Sequence, residues 1–65
     1  MNRIKKARLM EGFTQGELAK KLSVSTVTVC KWENGKTFPT PKRLKRVAEV
    51  LHTTVSDLLE EERAV

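Results

Sequence analysis

At 65 residues, with one cysteine and one histidine, the chain is expected to form one small domain (1–65), since neither an internal disulfide nor a four-ligand zinc site can staple it. A domain this size buries only about 60% of its unfolded surface, so self-association is the remaining aid and a homodimer is expected. The net charge of +5 is unevenly spread: residues 1–46 hold twelve Lys/Arg and three Glu, and residues 47–65 hold one Arg and five Asp/Glu. A basic body points to a polyanionic partner, nucleic acid first, although charge alone also fits a merely solvated surface.

Five helices are predicted, in chain order. The first spans Arg3 to Glu11, with Asn2 as its cap and Gly12 as a left-handed stop. The second follows Thr14, which forms a capping box with Glu17, and it carries an apolar stripe of Leu18, Ala19 and Leu22. Ser23 and Val24 form a tight turn. Ser25 caps a third helix with Val29 and Trp32 on one face, and Gly35 ends it. The alternation from Val24 to Val29 has a strand character, but no second such run exists to pair with it. Thr37 to Thr40 is a loop. Thr40 caps the fourth helix, Pro41 occupies its first position, and Leu44, Val47, Ala48 and Leu51 make its stripe. His52 or Thr53 ends that helix, and Thr54 with Asp57 restarts a short fifth one bearing Val55, Leu58 and Leu59. The acidic tail, residues 60–65, is expected to fray.

The link between the second and third helices is only a few residues long, which forces a steep crossing and makes one helix protrude. Ala19 is small enough for a close crossing, and Val24 can plug the turn from below. With Val29 and Trp32 turned inward, Thr26, Val27, Cys30 and Lys31 face solvent. Such a helix, with short side chains and one cation, can enter a groove about 12 Å wide and reach base edges. The scarcity of aromatics (Phe13, Trp32, Phe38) speaks against single-strand recognition, which needs stacking platforms.

The stretch TQGELAKKLSVSTVTVCKWENGKTFP resembles the Cro/C1-type helix-turn-helix family of bacterial and phage regulators, also called the xenobiotic-response-element family. Matching elements are TQ-x-ELA, the VS turn, the T-V-x-K-WENGK run and Pro39, and the likeness runs from Ile4 to Leu59. It implies an all-α, five-helix, lambda-repressor-like domain with its helix-turn-helix core at 14–35. It also implies a sequence-specific regulator, usually a repressor, bound as a homodimer to a pseudo-palindromic operator in double-stranded DNA. Residue by residue, it implies base contacts from Thr26, Val27, Cys30 and Lys31. It implies backbone contacts from Gln15, Ser25, Thr28, Asn34, Lys36, Lys42 and Arg43. Arg8 and Glu33 match a buried or half-buried ion pair that ties the first helix to the end of the third.

Some residues depart from the family pattern. Ser23 stands where a left-handed Gly is common, and Gly16 lies in the first turn of the second helix. Val27 and Cys30 lack the amide or guanidinium groups that read bases in pairs of bonds, which leaves thymine-methyl contacts from Val27 and Thr26, one polar contact from Lys31 and shape readout. Cys30 is read as an inert side chain rather than a redox switch, and His52 as an exposed helix end rather than a pH sensor. Lys45, Arg46, Arg3, Lys5, Lys6, Lys20 and Lys21 are expected to supply long-range attraction only. Leu58 and Leu59 fit either a dimer contact or the monomer core.

An antitoxin-like role is the alternative reading, with Leu9, Phe38 or the tail around Val65 as the protein contact. No nucleophile–base pair, phosphate loop or metal cluster is present in the sequence, so no enzyme and no cofactor is expected. With no apolar run of membrane-spanning length and no signal-peptide core, the expected location is the cytoplasm, at the nucleoid when bound to DNA.

Overall fold

The computed structural model describes residues 2–63, with side chains described to residue 60. Its helices are α1 (Asn2–Met10), α2 (Gln15–Leu22), α3 (Thr26–Glu33), α4 (Pro41–Val50) and α5 (Val55–Arg63), and no strand occurs among the described residues.

The helices begin by one device and end by another. Thr14, Ser25, Thr40 and Thr54 each accept a bond on Oγ from the backbone N–H three residues on, at 3.0, 3.1, 3.3 and 3.0 Å. Each hydroxyl satisfies a donor that the first helical turn cannot. At the other ends, one residue turns left-handed: Gly12 (φ 78), Ser23 (φ 57), Gly35 (φ 74) and His52 (φ 55). The next residue's N–H then reaches back to a helix carbonyl. Phe13 bonds Arg8, Val24 bonds Ala19, Lys36 bonds Lys31 and Thr53 bonds Ala48, at 2.9–3.1 Å.

Two sequence expectations are corrected. Asn2 is not the cap of α1 but its first residue, since the helical backbone already includes it. The acidic run after Leu59 does not leave the helix: α5 continues through it to Arg63. The side chains of Glu61 and Glu62, and Val65 altogether, lie outside the described residues.

One core joins all five helices: Ile4, Leu18, Ala19, Leu22, Val29, Trp32, Leu44, Val47, Ala48, Leu51 and Leu58. The choice left open for Leu58 is thereby resolved, since it is fully buried within the monomer, with Leu59 packed beside it. Val24 also packs against this core from the α2–α3 turn. Arg3 clamps α1 to α5, its guanidinium 2.7 Å from Asp57 Oδ1 and 3.8 Å from Glu60. The Asp57 carboxyl is held below its ordinary value by the bond from Arg3, then by that from Thr53. Among the described residues, Leu9, Met10, Val27 and Phe38 are the large apolar side chains left exposed. Among the described residues, no helix is long and apolar enough to cross a membrane.

Candidate nucleic-acid interface

The interface is built on α3, and α3 is held by two different means. Its inner face is apolar, with Val29 and Trp32 buried against α1 and α2. Its C-terminal end is held by a buried polar cluster. Arg8 Nε donates to Glu33 Oε2 at 2.7 Å, and Arg8 Nη2 donates to Oε1 at 3.2 Å. Arg8 Nη1 donates to the Phe13 carbonyl at 2.7 Å, and Gln15 Nε2 donates to Glu33 Oε1 at 3.0 Å. The two charged side chains are 8% and 2% exposed. Burial alone would push the Glu33 carboxyl up, but the bonds from Arg8 and Gln15 and the Arg8 charge prevail and hold it low. Three elements, α1, the α1–α2 turn and the start of α2, thus fix where α3 ends.

At the other end of α3, Ser25 and Thr28 share a hydroxyl–hydroxyl bond of 2.8 Å, while the Thr28 N–H also donates to Ser25. The Thr14–Glu17 box secures α2, with the Thr14 N–H donating to Glu17 at 2.8 Å. That backbone bond, then the Thr14 hydroxyl, lowers the Glu17 carboxyl. The first turn of α2 lies close to α3. A Cβ on Gly16 would sit 3.7 Å from Thr26 Oγ1, an ordinary contact.

Val27, Cys30, Lys31 and Asn34 follow at i, i+3, i+4 and i+7, so they form one stripe along α3 opposite Val29 and Trp32. Val27, Lys31 and Asn34 are exposed and Cys30 is half-buried, and Thr26 flanks them in the open. All four residues expected to face bases therefore share one side of the helix. Asn34 Nδ2 points back along the stripe to Cys30 Sγ at 3.4 Å.

Of the residues expected near a phosphate backbone, Asn34 lies on that stripe and Ser25 and Thr28 at the start of α3, and the others fall in three groups. Gln15 lies behind the C-terminal end of α3, half-buried through its bond to Glu33. Lys36 follows the left-handed Gly35 and is exposed. Lys42 and Arg43 open α4, where Thr40, Lys42, Arg43, Lys45, Arg46 and Glu49 line a shallow groove of about 620 Å³.

Several contacts had no signal in the sequence. Arg43 Nη1 lies 3.4 Å from the Leu22 carbonyl and so covers the end of α2. His52 Nδ1 is 2.7 Å from Glu11 Oε1, which joins the turn after α4 to the end of α1. Lys21 Nζ sits 5.2 Å from the centre of the Phe13 ring. Each joins residues far apart in sequence or on separate elements, beyond the reach of any local pattern.

Comparison with known proteins agrees with this architecture. Residues 4–58 match the model of a family described as helix-turn-helix. Among curated proteins, the chain is 32% identical over 63 residues to the HTH-type transcriptional activator BcrR of Enterococcus faecalis. That match covers 97% of this chain and 31% of the relative, so the chain spans about a third of the relative's length. No solved structure matches the chain significantly.

Proposed function

The chain belongs to the Cro/C1-type helix-turn-helix family, and on that premise we propose that it regulates transcription by reading the major groove of double-stranded DNA with α3. The observation that carries this reading is the stripe of Val27, Cys30, Lys31 and Asn34, presented outward by a helix whose end is fixed through Arg8, Glu33 and Gln15. In this reading Thr26, Val27, Cys30 and Lys31 meet base edges. Gln15, Ser25, Thr28, Asn34, Lys36, Lys42 and Arg43 meet phosphates and set the register.

The 65 residues act as one DNA-binding domain. Two copies bind a pseudo-palindrome whose half-sites lie about 34 Å apart, one helical turn. Where that operator overlaps a promoter, occupancy excludes polymerase, and the protein is a repressor. The word activator in the relative's name favours a second reading, in which the same domain binds beside the promoter and recruits polymerase.

Selection from a random duplex-DNA pool, with the winners titrated against salt, tests the proposal. A pseudo-palindrome with half-sites one turn apart supports it, and mapping that motif onto promoters separates the two signs of regulation. Weak, sequence-blind binding that vanishes as salt rises would leave only the basic charge at work, and the proposal would fall.

A further inference from the structure

We propose that α3 reads the 5-methyl group of a pyrimidine in the major groove, and that Val27 is the residue that determines this specificity. The inference rests on the regulator reading above and names the base feature that α3 selects.

Val27 is 62% exposed, while the other two large apolar side chains of α3, Val29 and Trp32, are buried in the core. Val27 therefore contributes little to folding. Its β-branch also costs some helix propensity at an exposed position, so packing gives no reason for a valine there. The same branch gives it one dominant rotamer in a helix. Its two methyl groups are thus held in place before any contact forms, at little entropic cost on binding.

Two pairs of polar side chains on this face bond each other, while Thr26 beside Val27 is exposed. Ser25 and Thr28 bond through their hydroxyls at 2.8 Å. The Asn34 amide, two turns further on, donates one N–H to Cys30 Sγ at 3.4 Å. Lys31 is the single cation of the stripe, on a long flexible stem. What the N-terminal end of the stripe offers a base edge at Val27 is a preset pair of methyl groups, flanked by the Thr26 side chain. Of the four bases, only thymine presents a methyl group in the major groove, at C5. A cytosine methylated at C5 presents the same group at the same place, so the ligand chemistry is the pyrimidine methyl, from either source.

The test uses the operator selected as above. Each thymine is replaced in turn by deoxyuridine, which removes only the methyl, and each cytosine in turn is methylated at C5. Both series are titrated with the intact chain and with Val27→Ala, which is expected to fold because the side chain lies outside the core. Burying one methyl predicts about a fourfold change per half-site. It should appear as a loss at one thymine or as a gain at one methylated cytosine, and the two series distinguish the sources. The change should disappear in Val27→Ala and persist in Val27→Ile.

Sequence-selective binding that no methyl change alters overturns this inference and leaves the regulator reading intact. A methyl effect of the same size in Val27→Ala overturns the assignment to Val27. Equal affinity for every DNA sequence overturns the regulator reading, and this inference with it.

Discussion

Removing Arg8 exposes the energetics of the site most directly. In Arg8→Ala, Glu33, whose side chain is 2% exposed in the intact protein, retains the Gln15 amide and loses both guanidinium bonds and the opposite charge. The Phe13 carbonyl loses its side-chain donor as well. Breaking a buried ion pair from one side costs about 3–5 kcal/mol. A chain this long has a total stability of roughly 3–10 kcal/mol, so the variant is expected to lose a large share of its stability at neutral pH.

The pH dependence supplies the sharper signature. In the intact protein the folded Glu33 carboxyl lies below its ordinary value of 4.5. Its contribution is therefore full above that value and is lost as pH falls through the folded pKa. In Arg8→Ala the bonds and charge that lowered it are mostly gone, and burial pushes the carboxyl up. The variant then regains stability as acid neutralises Glu33. The gap between the two proteins should close as pH falls through about 4.5, although Glu17 and Asp57 give both proteins a common acid slope. Urea denaturation followed by circular dichroism from pH 7 to pH 3.5 measures this gap. The double variant Arg8→Met with Glu33→Leu should recover most of the neutral-pH loss. A loss below about 1 kcal/mol, or a gap that does not change with pH, would refute the reasoning.

Three further predictions follow from the same geometry. Ser23→Gly relieves a left-handed residue that costs roughly 1 kcal/mol, and it should raise the midpoint of thermal unfolding by a few degrees. Thr14→Ala removes the hydroxyl half of the capping box and should cost about 1 kcal/mol. The Glu17 carboxyl should then rise only part of the way toward its ordinary value in an NMR titration, because the backbone N–H at position 14 still donates to it. On the selected operator, Lys31→Ala should alter base preference at one position per half-site. Gln15→Ala should instead weaken every site together, and the same binding selections separate these outcomes.

Much of the fold was legible because it is written in short-range terms. Thr14, Ser25 and Thr40 were identified as caps from their place before an apolar stripe, and each accepts the expected backbone bond. The left-handed residues Gly12 and Ser23 and the start of α4 at Pro41 were read in the same way. Asn2 misled because a capping residue type at a helix start says nothing about how far tertiary contacts draw the helix back. The helix runs on through the acidic residues after Leu59, and α5 is anchored through Asp57 and Leu58. The outward stripe of α3 was legible from helical phase. The internal pairing of its polar groups was not, since rotamers decide whether Asn34 faces outward or back to Cys30.

The sequence by itself determined the number of helices, most of their ends, the apolar face of each, and the side of α3 left to solvent. Hydrogen bonds and apolar periodicity within three or four residues set these features, and such interactions need no knowledge of the rest of the chain. Tertiary structure alone decided that Leu58 closes the core, that Arg3 clamps α1 to α5, that Arg43 covers the end of α2, and that His52 meets Glu11. These depend on how helices distant in sequence pack together. A side chain's partner is then set by the distance across a crossing, which no local pattern encodes.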